Sequence, residues 1–219
     1  MDERDETPEW AIDLKGVSVR YGSQVVLADV DLVVGGRGPR SVAIAGPSGS
    51  GKSTLLAVIS GLVRPSVGSV VAQYGGRVVK PASLGSWVLQ TTNVLPRRTA
   101  IDNVALGALA GRTRAEALDL ARHALSRVGL TQLSNRPARL MSGGEVQRIC
   151  IARAAATGRP VMFLDEPTGQ LDKAATELIV DYLRELSVDV SLIVASHDQT
   201  VLSSCDHIYA IEDGRLRST

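Results

Sequence analysis

Ser41-Val42-Ala43-Ile44-Ala45-Gly46-Pro47-Ser48-Gly49-Ser50-Gly51-Lys52-Ser53 is the stretch that decides the fold. Its first five residues read as a short apolar strand that runs directly into a glycine-rich turn. From Lys52 onward Leu55, Leu56, Ile59 and Leu62 recur at helical spacing and predict one apolar helix face. Residues 46–53 fit the pattern G-x-x-x-x-G-K-[ST], and strand, loop and helix are the context in which that pattern has a mechanism. The glycines let backbone N–H groups converge on phosphate oxygens, and the start of the helix favours negative charge. Lys52 reaches the terminal phosphates and Ser53 offers a hydroxyl to Mg²⁺.

Outward from this loop the pattern alternates strand and helix. Upstream, residues 11–34 alternate apolar and polar on both sides of a turn at Gly22-Ser23, and a Gly/Pro loop spans Gly35 to Pro39. Downstream, broken strands lie between Gly68 and Gln90, and Thr99 to Val128 reads as helical, including the run Arg114 to Arg127. Pro137 interrupts the chain, and Ser142 is placed to cap a helix running through Ala156. A buried strand is expected at Val161 to Leu164, a helix at about Asp172 to Leu186, and a strand at Leu192 to Ala195. A short helix and a final strand near His207 to Ile211 complete the pattern. Together these predict one α/β domain over residues 11–219, with a helical segment inserted at about 94–157 and a flexible acidic tail at residues 1–10.

Composition narrows the function. Hydrophobic residues reach 44% while aromatics are only 3%, so aliphatic side chains must build the core. With 24 basic and 23 acidic residues and no basic stripe, a nucleic-acid partner is not expected. No apolar run approaches the roughly 20 residues that span a bilayer, so any membrane connection is expected to come through another chain. Cys150 and Cys205 are too few and too far apart in sequence for a metal site and read as small core residues.

Several other residues have two readings. Val161-Met162-Phe163-Leu164-Asp165-Glu166 is an apolar strand that ends in two carboxylates. Read alone it is a solvent-facing turn as often as a site, but beside a phosphate loop Asp165 can order a metal shell and Glu166 is left for an attacking water. Ser142-Gly143-Gly144-Glu145 is either a plainly capped helix start or an anion site. Tyr21 reads as a strand-end aromatic packed on the core, Gln90 as a loop amide and His197 as a surface histidine, and none of the three carries a function by itself.

Taken in order, these residues resemble the nucleotide-binding domains of ABC ATPases over nearly the whole chain, from about Ile12 to Gly214. The resemblance implies a P-loop NTPase fold of the ABC type: a RecA-like core, a small antiparallel β lobe and an inserted helical subdomain. It assigns Tyr21 to adenine stacking, and Gly46, Pro47, Ser48, Gly49, Ser50, Gly51, Lys52, Ser53 and the following Thr54 to the Walker A phosphate loop. It assigns Gln90 to the Q-loop and Ser142, Gly143, Gly144 and Glu145 to the signature. Val161 to Asp165 become Walker B, Glu166 the catalytic base, Gly169 to Asp172 the D-loop, and His197 the switch histidine. The signature separates ABC proteins from other users of the phosphate loop.

Finer features look like the branch of lipoprotein-release, macrolide-export and cell-division ATPases: Asn93-Val94-Leu95-Pro96, Thr99-Ala100-Ile101-Asp102-Asn103-Val104, and Leu164 to Asp172. The chain departs from the pattern at Met141, Glu145, Gln170 and Leu89, and between Gly61 and Gln90 it reads about a strand pair short. That shortening bears on the adenine-side contacts. No regulatory domain is expected after the last strand.

By resemblance, the cofactors are ATP and Mg²⁺, the latter held by Ser53, Gln90 and Asp165. The partners are a second copy of the subunit and an integral membrane permease, which would hold the protein at the cytoplasmic face of the membrane. ATP is expected to be sandwiched head to tail, between Lys52 and Ser53 of one copy and Ser142 and Gly144 of the other. The alternative is a soluble ABC ATPase of DNA repair, chromosome handling or translation. Those proteins usually carry a coiled coil, a zinc insert or a second cassette, and none of these is found in the sequence.

Overall fold

The computed structural model describes residues 9–91 and 93–218. In chain order the elements are β1 (Trp10–Tyr21), β2 (Gln24–Gly35), β3 (Val42–Ala45), α1 (Lys52–Ile59), β4 (Val67–Tyr74), β5 (Arg77–Val79), α2 (Pro81–Leu84), β6 (Gly85–Val88), α3 (Ala100–Ala108), α4 (Arg114–Arg127), α5 (Gly143–Ala155), β7 (Val161–Asp165), α6 (Lys173–Leu186), β8 (Ser191–Ala195), α7 (Gln199–Leu202), β9 (His207–Glu212) and β10 (Arg215–Ser218). The described residues form two compact units, one of residues 9–85 together with 191–218, the other drawn from residues 86–190. Both are built of mixed α and β structure, as the phosphate-loop reading requires.

In the first unit, β1 lies between β2 and β4 in an antiparallel sheet of order β2-β1-β4-β5. Alternation, with its register shifted between Leu14 and Val17 and between Val17 and Val19, places Ile12, Leu14, Val17 and Val19 of β1 and Leu27, Val30, Leu32 and Val34 of β2 in the core. The second sheet segment of this unit holds β3 between β8 and β9 in parallel register, with Ile44 opposite both Ala195 and Tyr209. Every residue of β8 is buried, which is why it reads in sequence as an unbroken apolar run.

Three expectations change here. Residues 1–8 of the expected tail lie outside the described residues, but Trp10 opens β1 and is 4% exposed, its ring lying against Gly35. Leu62 does not continue the α1 face. Gly61 takes φ 74, its N–H donates to Val58 O at 3.0 Å, and the Leu62 N–H donates to Ala57 O at 2.8 Å. That pair of bonds is a Schellman stop, and it leaves Leu62 58% exposed. The chain also continues past the expected last strand, through a turn with Asp213 at φ 49 and Gly214 at φ 74, into β10, which pairs antiparallel with β9.

The second unit carries β6 and β7 as hydrogen-bonded neighbours, with Trp87 and Phe163 stacked at 5.1 Å between ring centroids. Its helices are α3 to α6. The expected helical run from Thr99 to Val128 is broken between Ala108 and Arg114, and Thr113 restarts it through a reciprocal capping box with Glu116.

The loop before α3 is held by a buried side chain. Asn103 is fully buried, its Oδ1 accepts from the Leu95 N–H at 2.7 Å, and its Nδ2 donates to Leu95 O at 3.1 Å and Thr99 O at 2.9 Å. Replacing it strips the Leu95 N–H of its partner, removes the side-chain ties to Leu95 and Thr99, and leaves a void at a fully buried position. Asn103→Ala should therefore lower stability by about 3 kcal/mol. Urea unfolding followed by circular dichroism checks this, and a loss below about 1 kcal/mol would contradict it.

Candidate functional site

In the first unit the loop after β3 is shaped by its glycines. Gly46 has φ 152 and a Cβ there would stand 2.7 Å from Ser50 Oγ, while Gly51 has φ 103 and a Cβ would meet Val26 at 3.2 Å. Side chains at these positions would be strained and would push the loop off its neighbours. Gly49, at φ 78, has open space around its missing Cβ. The loop is thus close-packed behind and open at its tip.

Lys52 turns back into this loop. It is 6% exposed, and its Nζ donates to the carbonyls of Gly46 at 2.9 Å and Pro47 at 3.0 Å. α1 starts from the left-handed Gly51, with no side-chain cap and no acid in its first turn, so its positive end is left to an external anion. Ser50 Oγ is buried with no protein hydrogen-bond partner among the described residues. A cation, an uncapped helix start and an unsatisfied hydroxyl are a donor set that fits phosphate oxygens.

A cleft of about 700 Å³ borders the loop, lined by Gln24, Val26, Ser48, Gly49, Glu212 and Asp213 among others. Tyr21 is 54% exposed, so it does not pack on the core, and its partner across the β1–β2 turn, Gln24, lines this cleft. His197 is exposed and leaves β8 beside the loop: Ile44 and Ala195 are register partners, and the Ser196 N–H donates to Ile44 O at 3.1 Å. Tyr21, Gly46 to Thr54 and His197 therefore belong to one unit.

The second unit gathers the remaining residues. Asp165 ends β7 and is 9% exposed, and Glu166 follows at φ 45, an uncommon backbone for a residue other than glycine. The turn after it is closed by the Gly169 N–H donating to Glu166 O at 3.2 Å and the Leu171 N–H donating to Thr168 O at 2.9 Å. Asp172 caps α6 by accepting from the Ala175 N–H at 2.8 Å.

Ser142 caps α5 in a capping box. Its Oγ accepts from the Glu145 N–H at 3.2 Å, and Glu145 Oε2 accepts from the Ser142 N–H at 2.7 Å. The capped-helix reading of this motif is therefore realised, while the Ser142 hydroxyl proton stays available to an anion. The 170–171 segment packs close to this motif: a Cβ on Gly144 would stand 3.0 Å from the Gln170 carbonyl oxygen, while one on Gly143 would meet only the movable end of the Gln170 side chain, at 2.8 Å. These residues line a cleft of about 370 Å³ together with Arg148, Leu171, Asp172 and Ala175. Gln90 is exposed just beyond β6, and the loop after it is tied to α5 by Arg153 Nη1, which donates to Asn93 O at 2.8 Å.

Asn103, Gln147 and Arg153 were not singled out from sequence as structural anchors. Gln147 and Arg153 do fall two and eight residues after Glu145 in the helix that the motif opens. Ser53 in the first unit and Asp165 in the second each offer a hard oxygen donor of the kind Mg²⁺ takes. Among the described residues no group of three or more His, Cys, Asp or Glu side chains forms a metal site of its own.

Comparison with known proteins bears on the same residues. A family described as ABC transporter matches residues 37–169. The lipoprotein-releasing system ATP-binding protein LolD of Anaeromyxobacter dehalogenans is 36% identical over 227 residues, covering 94% of this chain and 92% of that protein. The Fe(3+) ions import ATP-binding protein FbpC of Streptomyces avermitilis is 38% identical over 213 residues, covering 94% of this chain but only 61% of that protein. A solved dimer of the bacterial ABC transporter cassette MJ0796 superposes with a TM-score of 0.83 at 29% identity, over 95% of this chain and 97% of that one. The same cassette in a post-hydrolysis state bound to ADP and Pi gives a TM-score of 0.82 at 28% identity, over 95% and 97% of the two chains.

The loop geometry generates one prediction. Lys52→Ala removes the ammonium held in this loop, and affinity for a nucleoside triphosphate should fall on the order of 100-fold. Calorimetric titration reads this, and unchanged affinity would place the phosphate site elsewhere.

Proposed function

The chain belongs to the ABC transporter family of ATP-binding proteins, and from that premise we propose that it binds and hydrolyses ATP to energise a separate membrane protein, in transport or mechanotransmission. The observation that carries the reading is the loop Gly46–Ser53, with the Lys52 ammonium held among its carbonyls and its tip open at Gly49. Such a loop suits a polyphosphate chain and little else.

Phosphoryl transfer to water needs positioning and charge neutralisation more than covalent chemistry. Lys52 and the N–H groups at the start of α1 hold the β and γ phosphates, and Tyr21 stacks on the adenine. Glu166 accepts a proton from the attacking water, and His197 contacts the γ-phosphate. Ser53 and Asp165, with Gln90, are the residues that would hold Mg²⁺, which when bound neutralises phosphate charge. Gly46 to Thr54 supply one side of the nucleotide. The signature, Ser142 to Glu145, with Asp172 of the D-loop, supplies the other side from a second copy. The dimeric MJ0796 cassette supports that arrangement.

Among the described residues no helix is long and apolar enough to cross a membrane. We place the membrane connection in a partner chain at the cytoplasmic face, a reading supported by the relatives named as ATP-binding proteins of a releasing system and of an importer. An apolar groove of about 340 Å³ on the second unit, lined by Leu95, Leu106 and Leu109 with Arg98, Asp102 and Arg114 beside them, supports docking of a short amphipathic segment of that partner. LolD is named for lipoprotein release and FbpC for Fe(3+) import at similar identity, so the cargo is not inferred from either.

Three outcomes test the reading. Glu166→Gln should retain ATP binding, lose turnover on the order of 100-fold or more, and accumulate as an ATP-bound dimer, whereas Asp165→Asn should lose turnover without favouring the dimer. Phosphate release and light scattering in Mg-ATP read both, and near-parent hydrolysis by Glu166→Gln would remove it as the base. Ser142→Arg in the Glu166→Gln background should keep monomer ATP affinity but not dimerise, and a dimer like that of its parent would sink the shared-site arrangement. Leu106→Asp should leave the ATPase of the isolated protein intact yet abolish co-purification with membranes, and continued co-purification would exclude this groove as the docking surface.

A further inference from the structure

The mechanism above leaves the buried polar side chain of α5 without a role. Gln147 lies one turn into that helix and is 1% exposed. Its Nε2 donates to the carbonyl of Pro167 at 3.2 Å in a buried hydrogen bond, and its Oε1 has no protein hydrogen-bond partner among the described residues. An unsatisfied buried acceptor lowers stability, and an apolar residue of the same size would avoid the loss. Glutamine at this position therefore calls for a reason other than packing.

The reason lies in the residue before Pro167. Glu166 sits at φ 45, a strained conformation for a side chain with a Cβ, and a proline immediately after it narrows the backbone choices further. Strain of this kind persists only where surrounding contacts over-determine the geometry. Two bonds of the turn, Gly169 N–H to Glu166 O and Leu171 N–H to Thr168 O, are local and move with it. The Gln147 bond is different, because it fixes the Pro167 peptide to a long helix. α5 meets the same loop a second time where Gly143 and Gly144 pass close to Gln170. We propose that Gln147 is a positioning residue for hydrolysis: by holding the Pro167 carbonyl it fixes the backbone that aims the Glu166 carboxylate at water. This rests on the reading of Glu166 as the base.

The test uses the full chain with Gln147→Met and Gln147→Leu, which keep the volume and remove the donor. Both should melt at or above the parent temperature, bind ATP with KM within twofold of the parent, and lose at least tenfold in kcat. In the Glu166→Gln background the same substitutions should lower the residual turnover no further, since the group being aimed is already gone. A kcat within twofold of the parent, an equal loss of ATP affinity, or a full further loss in the double variant would each overturn the proposal. Failure of both variants to fold would make Gln147 a folding residue and overturn it as well. If Glu166→Gln alone keeps parent turnover, the base assignment has failed, whereas a normal Gln147→Met beside an inactive Glu166→Gln removes only the positioning role.

Discussion

The ammonium of Lys52, lodged among the carbonyls of its own loop, is the constraint from which the first unit is organised. To bring a lysine back over Gly46 and Pro47, the chain must leave β3 and enter α1 in a very short turn, and that turn requires glycines where φ is positive. Gly46 and Gly51 are close-packed against Ile211 and Val26, so the strands that carry those neighbours, β9 and β2, fix the loop from behind. The β9–β10 turn takes part in this support, since the Gly214 carbonyl accepts from the Ala28 N–H at 2.8 Å. Elements distant in sequence thus hold one phosphate cradle.

The two helix starts with functional readings are built on opposite principles. α1 begins without a side-chain cap and without an acid, which leaves its positive end to an incoming anion. α5 begins with a complete capping box, which fixes Ser142 and Glu145 in place before any ligand arrives. The first start gains by being satisfied by nucleotide. The second presents a rigid, preformed face, with Gly144 allowing the 170–171 backbone to lie close behind it. An uncapped cradle and a preformed face are complementary requirements if the two meet on one triphosphate in different copies.

Much of this was legible in the sequence because the decisive signals are local. The loop 46–53, the alternation in residues 11–34, the buried run of β8 and the cap at Ser142 each follow from a few adjacent residues and survive folding unchanged. Where the reading changed, longer-range or conformational terms decided. Leu62 kept the helical period but Gly61 had already ended the helix, and Trp10 looked like part of a charged tail until Gly35 gave its ring a place to lie. β10 carried a usable signal in Asp213-Gly214, a dipeptide suited to a tight hairpin, that apolar periodicity alone does not register. Asn103 and Gln147 were illegible for another reason: polar residues on helices read as solvent-facing until the loops they anchor are seen.

Some buried side-chain polar atoms have no hydrogen-bond partner among the described residues. Each such atom costs about 1–3 kcal/mol, so a chain that retains one gives up stability there. In this protein they include Ser50 Oγ in the phosphate loop, Gln147 Oε1 and Arg148 Nε in the helix of the signature, and Ser86 Oγ and Trp87 Nε1 in β6, the strand that leads to Gln90. Two others, Arg40 Nε and Ser191 Oγ, flank β3 and start β8, the paired strands from which the phosphate loop and His197 depart. The unsatisfied groups therefore concentrate in or next to segments assigned a part in binding or hydrolysis, while the alternating interiors of β1 and β2 are apolar. A fold optimised for stability alone would have replaced these groups with apolar ones of similar size. Ser50 Oγ is the one among them that lies in the phosphate loop itself, where an oxygen of a bound anion can accept from it.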